Sequence, residues 1–466
     1  MAIGDAPQIG QLTSINPDGS RKAIHPADVR GRFITWRRRV FYLLIAVYVA
    51  LPFIRVNGHP AIHLDITARR FYLFGGTFNA QDFWIVVLLT LTAGFTLLFV
   101  TAWLGRAWCG WACPQTVFLE GVYRRIERWI DGPRERRLKR AQGAWTAGRI
   151  ARSALKHGVY LGISFLLAHV FLSFFTSAPG LVAMIRSGPV GNEIAFGWAM
   201  AITLGLYGNF AWFREQLCVI VCPYGRLQSA MTDRDSLIVG YDVKRGEPRG
   251  RFIKAGARAP GAPEKGDCTD CMRCVQVCPT GIDIRNGLQL DCLACAQCID
   301  ACDEVMTRIG KPTGLIRYDS LNGLAGQKRR VLRPRLFAYG FLLLAATSGL
   351  LLSLLGRTPF EANLMRLPGL PWSADAEVVR NQFELHLVNK NPSPTTFEIR
   401  VAGEGLDLVI PQREVTLEPL ADHRVPIIAT APRNDGTRPD VVRLEIVDRT
   451  SGASKEVEAR FLGPKG

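Results

Sequence analysis

Five apolar stretches constrain how this 466-residue chain can fold, and they lie at about residues 40–56, 83–104, 158–177, 195–213 and 336–356. Each is close to the ~20 residues that a helix needs to cross a bilayer. The first stretch is the shortest and contains Pro52. The pattern therefore predicts five transmembrane helices in contact with a lipid bilayer.

Basic residues are distributed unevenly around these stretches. Twelve Lys and Arg residues lie between Arg106 and Lys156, in the link between the second and third stretches. The links 57–82 and 178–194 carry only three, which are Arg69, Arg70 and Arg186. Positive residues beside spans stay in the cytoplasm. We therefore expect a multi-pass protein of the bacterial inner membrane, with its N-terminus and residues 214–335 cytoplasmic and its C-terminal part periplasmic. The net charge of +17 follows from this topology, and no nucleic-acid-binding motif accompanies it.

Eight of the twelve cysteines form two close runs typical of bacterial ferredoxins. The first run has the spacing Cys-x2-Cys-x2-Cys-x3-Cys-Pro, and the second has the same spacing but ends in Cys-Asp. In such ferredoxins three cysteines of one run hold a 4Fe–4S cluster, and the fourth reaches across to the other cluster. The predicted ligands are Cys268, Cys271, Cys274 and Cys302 for one cluster and Cys278, Cys292, Cys295 and Cys298 for the other. The alternative is two zinc sites, although structural zinc usually pairs two short cysteine units across a longer gap.

The other four cysteines form two Cys-x3-Cys-Pro motifs, each just after an apolar stretch: Cys109 with Cys113, and Cys218 with Cys222. If helix continues there, the two thiols of each motif share one face, and the proline marks a break or kink. Four soft ligands meeting at the membrane edge favour Cu(I), zinc or a third iron–sulfur cluster. The alternative is that these four cysteines bind no metal and are simply small buried side chains. A disulfide is disfavoured in a reducing compartment.

These observations divide the chain. Ala-Trp precedes both motifs, which indicates that the first four spans are two structural copies. Beyond residue 376, alternating segments such as 383–388, 396–401 and 442–447 predict a small β-sandwich, immunoglobulin-like in architecture. We expect a flexible cytoplasmic arm at residues 1–35 and a four-span membrane domain with both Cys-x3-Cys-Pro motifs at 36–235. A cytoplasmic double-cluster ferredoxin domain at 236–335 and a fifth span at 336–356 should follow. The last part should be a periplasmic immunoglobulin-like domain at 357–466.

Together, the spans, the motifs within 106–115 and 214–226, the double ferredoxin run and the β-sandwich tail resemble the cytochrome c oxidase accessory protein family CcoG, also known as FixG or RdxA. The likeness covers roughly residues 25–466. It implies a role in assembling a cbb-type haem–copper oxidase, through reduction of Cu(II) to Cu(I). The implied partners are copper ions, copper chaperones or other oxidase assembly factors, and an electron donor that the sequence does not identify.

The residues fit that expectation, because clusters supply single electrons and thiolates prefer Cu(I). The candidate catalytic and copper-binding residues are Cys109, Cys113, Cys218 and Cys222. Two other functions remain open. One is an electron adaptor between quinol, or a cytoplasmic donor, and a periplasmic partner. The other is a non-catalytic scaffold that holds copper.

Overall fold

The computed structural model describes residues 23–56, 58–66, 70–79, 82–251, 265–375, 377–391, 393–403, 405–433 and 440–463. Within them the chain forms two compact units. One unit lies within residues 1–65 and 87–348, and the other within 66–86 and 349–466.

The helices follow the chain in the order α1 (Arg32–Ala50), α2 (Phe83–Leu104), α3 (Ala107–Trp111), α4 (Pro114–Phe118), α5 (Arg124–Asp131), α6 (Arg134–Gln142), α7 (Ala147–Leu172), α8 (Ala178–Ser187), α9 (Glu193–Gly208), α10 (Pro223–Met231), α11 (Val243–Gly246), α12 (Arg273–Gln276), α13 (Gln297–Arg308), α14 (Leu321–Leu324) and α15 (Pro334–Leu355). Short π-helical segments lie at Leu119–Tyr123, Asn209–Phe213 and Leu217–Val221.

The strands are β1 (Arg55–Val56), β2 (His59–Pro60), β3 (Ile62–Asp65), β4 (Arg70–Leu73), β5 (Gly76–Asn79), β6 (Ile238–Tyr241), β7 (Ile316–Asp319), β8 (Phe360–Arg366), β9 (Ser373–Ala374), β10 (Val378–Asn389), β11 (Thr395–Val401), β12 (Asp407–Val409), β13 (Glu414–Leu417), β14 (Asp422–Pro432), β15 (Val441–Asp448) and β16 (Ser454–Arg460).

Four helices in the described residues are long and apolar enough to cross a membrane: Phe83–Leu104, Ala147–Leu172, Glu193–Phe213 and Pro334–Leu355. They correspond to the second to fifth predicted stretches. Most of the first stretch falls in α1, which carries Arg37, Arg38 and Arg39 in its second turn and is not among these four. Helix α7 begins earlier than its apolar stretch, because Thr146 Oγ1 accepts a hydrogen bond from the Arg149 amide at 3.3 Å and caps a basic first turn.

The N-terminal segment differs in part from the expected flexible arm. Residues 1–22 lie outside the described part of the chain. Ile24, Ala27 and Val29 are buried, and the Ala27 amide donates to the Gln276 carbonyl at 2.7 Å. Apolar side chains at these positions let the segment pack on the ferredoxin region, where Val277 and Ala301 complete a small core.

The ferredoxin region is built around the antiparallel pair β6–β7, which joins residues before and after the cysteine runs. Its core includes Val239, Ile284, Ile299, Met306 and Ile316. The pair closes the region into one module, so the two cysteine runs are held between its strands.

The C-terminal unit contains a β-sandwich, as predicted. One sheet has the order β12-β14-β10-β8 with β9 on β10, and the other has the order β13-β11-β15-β16. The predicted alternating segments lie in β10, β11 and β15. Their inward side chains, among them Phe383, Phe397 and Leu444, are fully buried, and burial of each such side chain stabilises the fold by about 1.5–3 kcal/mol.

Candidate redox site

The two ferredoxin runs have the same backbone conformation around their second cysteine. Asp270 and Met272 flank Cys271 with φ of 53° and 58°, and Ala294 and Ala296 flank the matching cysteine with φ of 50° and 61°. Non-glycine residues in this left-handed region are uncommon, and such turns aim successive N–H groups at a bound anion. Helices α12 and α13 then begin directly after the loops. Both runs are therefore shaped to surround a negatively charged group.

The structure brings the eight cysteines of these runs together in two groups. Burial, and then the neighbouring thiols Cys274, Cys271 and Cys268, raise the pKa of Cys302 to about 12. Burial, and then Cys295, Cys292 and Cys278, raise the pKa of Cys298 well above its usual range. The fourth cysteine of each run thus lies beside the first three cysteines of the other run.

A buried thiolate is unstable without a positive charge beside it, and bound iron supplies that charge. Buried thiols with raised pKa values are therefore consistent with ligands of an iron cofactor. Four soft sulfur donors in each group suit an iron–sulfur cluster. Backbone donors are already in place, since the Ala294 amide donates to Cys292 Sγ at 3.4 Å.

The two Cys-x3-Cys-Pro motifs also share one local geometry. The amide of Cys113 donates to the Trp108 carbonyl at 2.9 Å, and the amide of Cys222 donates to the Leu217 carbonyl at 2.8 Å. Helix does not continue through either motif. Cys113 and Cys222 are extended residues directly before α4 and α10, which start with proline at their first position. Proline fixes this break, because it has no N–H and its ring clashes with a preceding helical turn.

The thiols of the two motifs are neighbours, and we call these four residues the membrane-edge quartet: Cys109, Cys113, Cys218 and Cys222. Burial, and then Cys113, Cys109 and Cys222, raise the pKa of Cys218 to about 12. Burial, and then Cys113, raise the pKa of Cys109 to about 11. The Cys109 thiol donates to Oε1 of the fully buried Gln228 at 3.4 Å, while Nε2 of Gln228 has no hydrogen-bond partner in the described residues.

The four thiols of the quartet do not form a mononuclear metal site as they stand. Among the described residues, no three His, Cys, Asp or Glu side chains converge closely enough to hold a single metal ion. Four soft sulfur donors are compatible with either Cu(I) or an iron–sulfur cluster.

The quartet packs directly on the second cysteine run. A β-carbon added to Gly110 would lie 2.5 Å from the Leu293 carbonyl oxygen and 2.9 Å from Cα of Cys295. The indole of Trp111 donates to the Tyr318 hydroxyl at 3.0 Å, and that hydroxyl donates to the Ala294 carbonyl at 2.5 Å. One face of the ferredoxin region thus meets the membrane-edge motif through backbone contact and a hydrogen-bond chain.

A buried ion-pair network, which the sequence reasoning missed, lies beside the quartet. Glu127 pairs with Arg214 and lies 3.7 Å from Arg137, while Arg124 pairs with Glu120 and, at 3.1 Å, with Glu215. The arginines appeared as part of the basic, positive-inside pattern. The signal that could have revealed the network was the presence of glutamates within that basic stretch.

Comparison with known proteins finds three family matches along the chain. Residues 213–321 match the family described as "4Fe-4S dicluster domain", and residues 84–136 match "4Fe-4S binding domain". Residues 350–464 match a family described as an IG-like fold at the C-terminal of FixG. The predicted immunoglobulin-like tail and the use of iron–sulfur clusters are thereby confirmed.

Three curated relatives align over most of the chain. Nitrogen fixation protein FixG of Rhizobium meliloti is 34% identical over 422 residues, covering 82% of this chain and 80% of the relative. Protein RdxA of Cereibacter sphaeroides is 34% identical over 405 residues, covering 83% of each. Protein RdxB of the same organism is 33% identical over 468 residues, covering 95% of this chain and 96% of the relative. Because these identities extend through the membrane, ferredoxin and tail regions alike, the chain belongs to the FixG/RdxA family of iron–sulfur membrane proteins.

Proposed function

We propose that this protein is a cupric reductase that supports assembly of a cbb-type haem–copper oxidase. The observation that carries the proposal is the backbone contact of Gly110 with Leu293 and Cys295. It places a group of four thiols next to the second ferredoxin run. In this proposal the quartet binds the copper substrate, and one electron converts Cu(II) to Cu(I).

The chemistry of the side chains supports this assignment. The two clusters supply single electrons when bound, with Cys268, Cys271, Cys274 and Cys302 as ligands of one and Cys278, Cys292, Cys295 and Cys298 as ligands of the other. The quartet supplies soft sulfur ligands, which favour Cu(I) over harder ions. Thiols must lose their protons to bind copper. The raised pKa values of Cys109 and Cys218 therefore mean that copper binding releases protons to solvent.

The proposed orientation places the N-terminus and the ferredoxin region in the cytoplasm and the β-sandwich in the periplasm. The uneven distribution of Lys and Arg supports it. The proposed partners are a cytoplasmic or quinol electron donor, copper chaperones and other assembly factors of the oxidase.

A second candidate is an electron adaptor in which the quartet holds a third iron–sulfur cluster. One observation favours it. The match to "4Fe-4S binding domain" covers residues 84–136, which include Cys109 and Cys113.

A variant with all four quartet cysteines changed to serine separates these functions. Iron, copper and the Cu(II) reduction rate are measured on the same anaerobically purified protein. A cupric reductase loses copper binding and reduction while it keeps about eight irons per chain, since serine oxygen is a much harder ligand than thiolate. An adaptor with a third cluster falls instead from about twelve irons to about eight. Unchanged copper content and unchanged rate would remove the quartet from the reaction.

A further inference from the structure

Two arginines from the membrane part of the chain reach the second cluster site. Arg37, on α1, is fully buried, and its Nε donates to the Gly110 carbonyl at 2.6 Å. With the Gln297 amide turned so that its oxygen faces Arg37, Nη1 donates to that oxygen at 2.6 Å. Arg106, just after α2, donates to the Cys292 carbonyl at 3.4 Å and to the Gly225 carbonyl at 2.8 Å. Both guanidinium groups are therefore held in place by carbonyl and amide oxygens.

Neither guanidinium is neutralised by a directly bound carboxylate. Within the described residues, Arg37 and Arg106 form no ion pair, and Nη2 of Arg37 has no hydrogen-bond partner at all. The nearby Glu120 is bound by Arg124 instead. Both positive charges lie close to the second run, because Arg106 Nη1 donates to the Cys292 carbonyl and the Gly110 backbone that Arg37 binds lies against Cys295.

At the first cluster site the neighbouring cation is bound by carboxylates. Arg285, which contacts Met272 beside Cys271, is paired with Asp270 and, at 2.6 Å, with Asp283. Asp303 adds another negative charge beside Cys302. Cys271 of this site is exposed, so solvent can screen charge there.

Reduction adds one negative charge to a cluster and its thiolates. Burial opposes that step, because a low-dielectric interior destabilises added charge. A fixed cation nearby favours it, and the attraction is strongest where water is excluded. Cys295 of the second site is buried, so a cation beside it acts with little screening by water.

We propose that Arg37 and Arg106 raise the reduction potential of the cluster held by Cys278, Cys292, Cys295 and Cys298, and so make the cluster beside the membrane-edge quartet able to accept electrons. They act as positioning and charge-tuning residues, not as ligands. The inference rests on the proposed assignment of cluster ligands and is independent of copper.

The test is a redox titration of the full-length protein, purified anaerobically, with dithionite as the reductant. Low-temperature electron paramagnetic resonance follows the clusters. Iron is counted first. A wild-type protein with fewer than about eight irons would contradict the cluster assignment itself, whereas a full iron content with no shift in potential would contradict only this inference. A Cys302→Ser background removes the first cluster, so that the remaining signal belongs to the second.

Arg37→Gln should lower the midpoint potential of the second cluster and leave that of the first unchanged. Arg37→Lys, which keeps the charge, should restore most of the wild-type value. Arg106→Gln should cause a smaller shift in the same direction, because Arg106 is only half-buried. Arg308→Gln is the matched control, since Arg308 is an exposed arginine of the same module. The proposal would be overturned if the midpoint potentials of both clusters shifted equally, or if neither shifted. It would also be overturned if Arg37→Gln, Arg37→Lys and Arg106→Gln all lost iron, because the arginines would then have a structural role.

Discussion

The backbone of Gly110 lies against the backbone of Cys295, with no room for a side chain between them. Gly110 lies between Cys109 and Cys113 of the first Cys-x3-Cys-Pro motif, and Cys295 is the central cysteine of the second ferredoxin run. A β-carbon at position 110 would come within 2.9 Å of Cα of Cys295 and 2.5 Å of the Leu293 oxygen. This contact places the first Cys-x3-Cys-Pro motif directly against the loop of the second ferredoxin run.

Gly110→Ala should therefore disturb both the first Cys-x3-Cys-Pro motif and the second ferredoxin run. The added methyl group meets backbone rather than a flexible side chain, so the loops must separate, at a cost of about 1–3 kcal/mol. We expect a lower melting temperature and partial loss of iron, measured by thermal unfolding and iron analysis. Gly158→Ala is the control, because a β-carbon on that helical glycine of α7 meets nothing within 4 Å. Equal behaviour of the two variants would contradict the close packing.

Exchange of single ligands should reveal that the two ferredoxin runs interlock. Cys302→Ser should remove the cluster held mainly by the first run, and Cys278→Ser the cluster held mainly by the second. Each variant is expected to keep about four of about eight irons. Their residual electron paramagnetic resonance spectra should differ. The same spectrum in both variants, or zinc in place of iron, would contradict the proposed ligand sets.

The buried carboxylate of Glu127 should contribute strongly to stability. Burial opposes its ionisation, but Arg214, His25 and Arg137 outweigh burial and hold its pKa well below the ordinary value of 4.5. Glu127→Gln leaves buried arginines without their partner, which costs about 3–5 kcal/mol. Glu304→Gln breaks an exposed pair with Arg308 and should cost at most about 1 kcal/mol.

The pH dependence of the Glu127 contribution has a definite sign. Because the folded-state pKa is lowered, its stabilisation is complete above the ordinary glutamate value and is lost only as the pH falls through the lower, folded-state value. Melting temperatures of the wild type and of Glu127→Gln should differ by a constant amount near neutral pH and converge in acid. A difference that grows in acid would contradict the ion-pair account.

The sequence predicted the elements that depend on interactions between residues close together in the chain. Apolar length located four spanning helices, alternation located β10, β11 and β15, and proline located the breaks before α4 and α10. The approach of Gly110 to Cys295 could not be predicted, because it joins residues far apart in the chain and depends on packing. The proposed role of Arg37 could not be predicted for a different reason: positive-inside topology alone is enough to explain a basic residue at a membrane edge.

The last prediction is that α1 crosses the membrane, giving five spans. Arg37, in the second turn of α1, donates to the Gly110 carbonyl. The segment that follows α1 lies at the far end of α7, where the Leu64 amide donates to the Phe174 carbonyl at 2.7 Å. A helix of 19 residues rises about 28 Å, close to the ~30 Å of a hydrocarbon core. We therefore expect α1 to cross the membrane between these two contacts.

Reporter fusions test this crossing and the orientation together. A phosphatase that is active only in the periplasm should be active when fused to the C-terminus, but silent at the N-terminus or near residue 250. A fluorescent protein that folds only in the cytoplasm should give the opposite pattern and serves as the control. If α1 lay along the surface instead, four crossings would remain and the two termini would report the same side. Reversed signals at all positions would overturn the orientation, and with it the expectation that the thiols are kept reduced by the cytoplasm.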